Sequence, residues 1–234
     1  WSAGEVNSFQ LLDEDFNEKG INGINDFLKN SRSNDVVMVF ISTHGVLDAN
    51  YDYFLATYEM DFNHPSASGM ALKSIEEQIS RSRSKQKVIF IDACHSGEID
   101  KSEIQKTESI SEEAADVSFR GFQHFTSTTK LSAFDVSKEL FTDLSSTSGI
   151  SFISSAAGLE FALEGDEWKN GVFTYTILEG LQSYSADLNG DGVITLSELE
   201  QHIIKKVPAL TGGKQQPNSR IKNPYLDFTI QEKK

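Results

Sequence analysis

Cysteine and basic residues are scarce in this sequence. The first scarcity excludes a disulfide within the chain, and the second argues against nucleic-acid and membrane partners. One cysteine among 234 residues cannot form a disulfide within the chain, so we expect a reducing compartment. Lysine and arginine number 21 against 35 aspartates and glutamates, which gives a formal net charge of -14. Such a charge repels phosphate backbones and anionic lipid surfaces, so we expect no nucleic-acid partner and no membrane partner.

Long hydrophobic runs are missing as well. No stretch of about eighteen apolar residues is present to cross a bilayer, and we expect a soluble, cytoplasmic protein. The first residue is Trp1 and the first methionine is Met38, so we expect a fragment or a processed product of a longer polypeptide. The length suits one α/β domain with insertions.

Three short apolar runs, rich in β-branched residues, predict buried strands of a parallel sheet. They span residues 36–41, 88–91 and 150–153. Amphipathic segments precede the first two runs, so helices and strands alternate as in an α/β fold. Two further helices are predicted around residues 173–181 and 199–207, and a closing strand at 225–230. By contrast, residues 98–149 are rich in Ser, Thr and Glu without a sustained hydrophobic period, and we interpret them as a linker or insertion.

A histidine and the only cysteine follow two of the predicted strands. His44 lies in the sequence Ser-Thr-His-Gly and Cys94 in Asp-Ala-Cys-His-Ser-Gly. The carboxyl ends of parallel strands face one crevice, so we expect the two residues to meet there. An imidazole beside a thiol stabilises the thiolate and later protonates a leaving amine. We therefore predict Cys94 as nucleophile and His44 as general acid/base.

The ordinary alternative for a free cysteine is a buried, unreactive core residue, but such a cysteine is expected inside an apolar run. His95 is the immediate neighbour of Cys94 and is expected to point away from it on an extended backbone. Gly45 has no side chain, so a substrate carbonyl can approach its backbone N–H closely. We predict that the N–H groups of Gly45 and Cys94 form an oxyanion hole.

These two motifs resemble the paired signature of caspase-like cysteine peptidases, most of all the metacaspases and bacterial caspase homologues. The resemblance continues through residues 150–164, residues 170–174 and the terminal strand. It implies a caspase-like three-layer sandwich with a mostly parallel central sheet flanked by helices, over residues 1–234. The family's first strand and helix would then lie upstream of residue 1, and Thr43 stands where a glycine is commoner. Residues 98–149 would join the larger and smaller catalytic segments and be cut by the enzyme itself, so the uncut chain would be a zymogen.

The resemblance also implies a specificity. Caspases proper have glutamine two residues before the nucleophile, whereas this chain has Asp92. In metacaspases that aspartate and the serine two residues before the histidine form the floor of a pocket for Arg or Lys, so Asp92 and Ser42 carry over by position. The resemblance places Ser154, Ser155 and Trp168 in the cleft walls, with Trp168 expected at the surface in a loop. The alternative for Trp168 is that it packs against its own loop. The alternative for Asp92 is a cap on local backbone.

A second motif matches a calcium-binding loop of twelve residues. Its ligands would be Asp187, Asn189, Asp191, the carbonyl of Val193 and Glu198. The sequence also fits a plain turn between two helices, because Thr195 and Glu198 have the spacing of a capping box. Both interpretations stay open, and the peptidase chemistry itself requires no cofactor.

The sequence thus predicts a cysteine endopeptidase that cuts after Arg or Lys in protein or peptide substrates. We also expect a sensor domain upstream in the same polypeptide. One alternative is a catalytically silent caspase-like module that binds a partner. Another is a domain that acts chiefly as a calcium-responsive regulator.

Overall fold

We describe the protein from a computed structural model of the chain. The structure describes the backbone of residues 6–48, 52–95, 117–119, 149–155, 162–165, 168–220 and 227–233. It describes the side chains of the same residues except 47, 94, 95 and 117–119.

The centre of the described structure is a sheet of six strands. The strands are β1 (Val36–Leu47), β2 (Tyr53–Leu55), β3 (Met70–Ala71), β4 (Gln86–His95), β6 (Ile150–Ser154) and β10 (Asn218–Arg220). Their order across the sheet is β10-β6-β4-β1-β2-β3. The three central strands β1, β4 and β6 are parallel to one another. These are the three strands that the apolar runs predict.

The prediction of a mostly parallel sheet holds for the three central strands and is approximate for the whole sheet, because both edges are antiparallel. Strand β2 returns against the end of β1, β3 pairs with β2, and β10 pairs with β6. Antiparallel neighbours need only a short connection, and few residues separate β1 from β2. The sheet is therefore mixed, with a parallel centre.

Two smaller sheets complete the strands of the described ranges. One contains β5 (Val117–Phe119), β7 (Leu163–Gly165) and β8 (Asn170–Gly171), and the other pairs β9 (Val193–Thr195) with β11 (Thr229–Glu232). Strand β5 lies within the segment 98–149 that we interpreted as a linker; of the rest of that segment, residues 98–116 and 120–148 are outside the described residues. The closing strand, predicted at 225–230, begins at Thr229 and pairs with β9 instead of the central sheet.

Helices cover both faces of the central sheet. The α-helices of the described ranges are α1 (Glu18–Leu28), α2 (Pro65–Ser68), α3 (Leu72–Ser80), α4 (Val172–Gln182) and α5 (Leu196–Leu210), of which α1 and α3 lie on one face and α4 and α5 on the other. Side chains alternate between the faces of a strand, so Ile89 and Ile91 of β4 pack in the same cluster as α1 and α3, while Val88 and Phe90 pack in the cluster of α4 and α5. The result is a three-layer α/β sandwich, as predicted. Among the helices in the described ranges, none is long and apolar enough to cross a membrane.

One edge of β1 is bordered by a groove. Within the described ranges, no strand pairs with β1 from Val36 to Thr43 on the side away from β4. A groove of about 1120 Å³ follows this edge, and its lining includes His44 and Phe62. The upstream first strand that the family resemblance implies stays a prediction.

Candidate active site

His44 and Cys94 are neighbours across two parallel strands. In the register of β1 and β4, the Cα partner of His44 is Cys94. Adjacent strands of a sheet lie about 4.8 Å apart, so the two backbones are within reach of one shared substrate. The side chain of Cys94 lies outside the described residues, and its role as nucleophile stays a prediction.

The sequence predicted that the two residues follow the ends of their strands, but both lie within the strands. Strand β1 continues through His44 to Leu47, and β4 continues through Cys94 to His95. The reason is that the ladder between β1 and β4 runs on to the pair Gly45 and His95, regardless of the polar side chains there. The backbones of His44 and Cys94 are therefore held by strand pairing and not by loops.

His44 is half-buried and contacts the chain that follows β2. The carbonyl of His44 accepts a hydrogen bond from the Ala56 N–H at 2.7 Å, and the Thr43 hydroxyl donates to the Ala56 carbonyl at 2.8 Å. The ring of His44 meets the ring of Phe62 edge-on, with centroids 6.4 Å apart. The Ala56 bonds hold the backbone of His44 on the side away from β4, and Phe62 is a contact that the sequence did not reveal.

Gly45 has a packing reason to be glycine. A Cβ atom built on Gly45 would overlap the Tyr53 hydroxyl and lie 2.5 Å from Cζ of the same ring. Tyr53 is buried in β2, directly beside β1. The close approach of Tyr53 therefore explains this glycine without an oxyanion hole, and the hole formed by Gly45 and Cys94 stays a prediction.

Asp92 is fully buried, with 0% of its surface exposed. The hydroxyl of Thr174, in the first turn of α4, donates a hydrogen bond to Oδ2 of Asp92 at 2.5 Å. In the strand register, Asp92 is the partner of Ser42, which is exposed. The structure therefore brings together the two residues predicted to hold a basic substrate side chain, and it adds Thr174.

A buried glutamine holds the segment after β6 against the end of β4. The Gln215 side chain is fully buried, and its Nε2 donates to the Ser155 carbonyl while its Oε1 accepts from the Leu163 N–H, both at 2.7 Å. The Ser155 N–H in turn donates to the Ile91 carbonyl at 2.8 Å. Since β4 carries Cys94, this network places the predicted wall residue Ser155 near the candidate site. Gln215 lies in no periodic or motif pattern, so the sequence offers no signal for it.

The other two predicted wall residues are also buried. Ser154 is 1% exposed and Trp168 is 7% exposed. The expectation of a surface tryptophan is wrong, because Trp168 lies in the turn between β7 and β8 and packs in the core cluster with Leu163 and Phe173. Contact of either residue with a substrate stays a prediction.

The other histidines with described side chains have structural partners. His64 lies at the surface, and its hydrogen bond lowers the pKa of Asp61. His202 is 6% exposed between α4 and α5, with Nε2 3.2 Å from a carboxylate oxygen of Glu179. Burial lowers the pKa of His202. His124 and the side chain of His95 are outside the described residues.

The loop at residues 187–198 turns its oxygen atoms inward, as a calcium loop does, and uses them for hydrogen bonds. The Asp187 carboxylate accepts from the N–H groups of Gly190 and Gly192, at 2.8 and 2.9 Å. Asn189 Oδ1 and Asp191 Oδ1 each accept a further N–H at 2.8 Å. Glu198 closes the predicted capping box with Thr195. In the part of the chain that the structure describes, no three His, Cys, Asp or Glu side chains are grouped to hold a metal. The loop's own hydrogen bonds and capping box are compatible with a plain turn, and calcium stays a prediction.

Calcium at this loop is expected to raise the melting temperature, because a ligand that binds only the folded state stabilises it. At about one hundred times Kd the gain is about 2.7 kcal/mol, or roughly 5–10 °C for a domain of this size. Thermal melts in millimolar calcium and in chelator measure the difference. Asp191→Asn keeps an oxygen for the Val193 N–H and removes one charge, so it should reduce the difference. Identical melting temperatures with calcium and with chelator would favour the plain turn.

Comparisons with known proteins agree with this architecture. The family model described as "Caspase domain" matches residues 12–228. No curated protein matches the chain. Among solved structures, the crystal structure of protein GSU0716 from Geobacter sulfurreducens is similar with a TM-score of 0.52 and 15% identity, over 86% of this chain and 71% of that chain. At this identity the similarity concerns the fold alone.

Proposed function

The chain belongs to the caspase domain family of cysteine peptidases, and from this membership we propose that it is an endopeptidase that cuts after Arg or Lys. The observation that carries the proposal is the register of β1 and β4, in which His44 is the partner of Cys94. A nucleophile and its base need to share one substrate, and residues opposite each other on adjacent strands meet that requirement.

The proposed reaction begins when the Cys94 thiolate attacks the carbonyl carbon of the scissile bond. The resulting oxyanion accepts hydrogen bonds from the N–H groups of Gly45 and Cys94. Protonated His44 gives its proton to the leaving amine as the C–N bond breaks, which leaves a thioester on Cys94. His44 then takes a proton from water, the hydroxide attacks the thioester, and the acid product leaves with the thiolate restored.

The proposed preference for Arg or Lys rests on the burial and charge of Asp92. A buried carboxylate is costly to leave without a partner, so it selects a cation over a neutral or anionic side chain. Because Asp92 is 0% exposed, the substrate cation has to displace the residues that cover the carboxylate before the two charges meet. Ser42 is the partner of Asp92 in the strand register, and Ser42 itself is exposed to solvent.

Hydrolysis of otherwise identical peptidyl-arginine and peptidyl-aspartate reporters tests the proposal. The proposed enzyme cuts the arginyl reporter, and a catalytically silent binding module cuts neither. Iodoacetamide tests the role of the thiol specifically. The chain has one cysteine, so the only thiol that it can alkylate is that of Cys94. Turnover that survives complete alkylation would exclude a cysteine peptidase.

Self-processing between residues 98 and 149 is a further expected result. The segment offers five basic residues of the kind that an Asp92 pocket accepts, namely Lys101, Lys106, Arg120, Lys130 and Lys138. They lie outside the described residues. Intact-mass measurement of the wild type after incubation should show new termini after some of these residues, as expected for a zymogen that matures by cleavage.

The control for self-processing is Cys94→Ala, which should stay whole on its own. Adding a trace of wild type to the Cys94→Ala chain separates cleavage within one molecule from cleavage between molecules. A wild-type chain that is fully active and remains uncut would refute self-processing and leave the peptidase proposal in place.

A further inference from the structure

Thr174 contacts the residue on which the proposed specificity depends. Its hydroxyl donates a hydrogen bond to Oδ2 of Asp92 at 2.5 Å, and the two residues are 82 positions apart in the sequence. Thr174 lies in the first turn of α4, on the face of the sheet that also packs Phe90 of β4. The threonine is only half-buried, whereas the carboxylate that it holds is fully buried.

The start of α4 is shaped around this carboxylate. A Cβ built on Gly171, the N-cap residue, would lie 2.9 Å from Oδ2 and 3.6 Å from Oδ1 of Asp92. A side chain there would press on Oδ2, so the helix begins with glycine where the carboxylate lies against it. The N-terminus of a helix also favours a negative charge. Oδ2 is therefore the oxygen that lies against α4, where Gly171 leaves room for it and the Thr174 hydroxyl donates to it.

We propose that Thr174 is a positioning residue that orients the Asp92 carboxylate and thereby favours Arg over Lys at the cleavage position. This inference rests on the proposed specificity. A carboxylate accepts about four hydrogen bonds, and the Thr174 bond takes up one of these acceptor positions. A guanidinium binds both oxygens in one plane and needs a fixed carboxylate, whereas an ammonium is a point charge that tolerates rotation. Loss of the Thr174 hydroxyl therefore harms arginine binding more than lysine binding.

The same helix supplies a matched control. Thr176 is fully buried, and its hydroxyl donates to the Val172 carbonyl inside α4 at 2.8 Å. Thr176→Val removes a threonine hydroxyl from α4 as Thr174→Val does, but its hydrogen bond belongs to the helix and not to Asp92. Any effect shared by the two variants is structural.

The kinetic arm compares peptidyl-arginine and peptidyl-lysine reporters on four proteins: wild type, Thr174→Val, Thr174→Ser and Thr176→Val. Thr174→Val is expected to lower kcat/KM about tenfold or more for arginine and about threefold or less for lysine, chiefly through KM. Thr174→Ser should restore the wild-type ratio of the two substrates, and Thr176→Val should leave that ratio unchanged. An unchanged ratio in Thr174→Val would overturn the inference, and the peptidase proposal would stand.

The binding arm does not depend on catalysis. The same two reporters are titrated by calorimetry into Cys94→Ala and into Cys94→Ala combined with Thr174→Val. The second protein is expected to lose arginine affinity about tenfold and lysine affinity less. A Cys94→Ala chain that binds neither reporter, or equal losses for both, would overturn the inference. Binding with the expected losses but without hydrolysis by the wild type would uphold Thr174 and refute the peptidase.

Discussion

Cys94→Ala and His44→Ala are each expected to abolish hydrolysis of peptidyl-arginine substrates while the fold persists. Members of a catalytic unit act together, so each loss should be on the order of 10⁴-fold or more in kcat, and the double variant should be no worse than either single one. The register that pairs the two residues on β1 and β4 is the structural basis. Progress curves and thermal melts of the three variants measure activity and folding separately.

The matched control for His44→Ala is His64→Ala. His64 is an exposed histidine whose ring lies 2.8 Å from Asp61 at the surface, and its removal should leave turnover near the wild-type rate. A folded Cys94→Ala protein that retains turnover would refute the thiol mechanism. Retained turnover in His44→Ala alone would reassign the base to another group.

Asp92→Asn is expected to lower kcat/KM for arginyl substrates by roughly thirtyfold or more. Loss of one partner from a desolvated charge pair costs about 2–5 kcal/mol, and the substitution keeps the size of the side chain. Asparagine also retains a carbonyl oxygen to accept the Thr174 hydroxyl, so the start of α4 should keep its structure. Steady-state kinetics on the wild type and the variant measure the loss.

A citrulline reporter is the control for Asp92→Asn, because citrulline has nearly the shape of arginine without its charge. The wild type should prefer arginine to citrulline strongly, and the variant should lose most of that preference. A wild type that prefers aspartyl to arginyl reporters would show that the assignment of the pocket is wrong.

The centre of the fold was predictable from the sequence, and its edges were not. The three apolar runs identified β1, β4 and β6, because strands buried on both faces need continuous apolar residues. Strands β2 and β3 have three and two residues, too few for any periodicity to appear. The antiparallel edges therefore depend on tertiary pairing that local sequence does not encode.

In the candidate site, too, some residues were predictable from the sequence and others were not. The motifs around His44 and Cys94 predicted that the two residues meet, and the strand register is consistent with that. Thr174 and Gln215 act through hydrogen bonds to residues 82 and 60 positions away, which no local pattern indicates. Trp168 was expected at the surface because it lies in a loop, but the turn between β7 and β8 carries it into the core.

The central claim is that Cys94 is a nucleophile activated by His44. Its most direct test is intact-mass and peptide analysis after reaction with a peptidyl-arginine acyloxymethyl ketone, a reagent that traps the attacking thiolate as a thioether. The prediction is one adduct per chain, located on Cys94 and prevented by excess substrate, with little adduct in His44→Ala. A folded wild-type chain that stays unmodified, or a His44→Ala chain modified at the wild-type rate, would contradict the dyad.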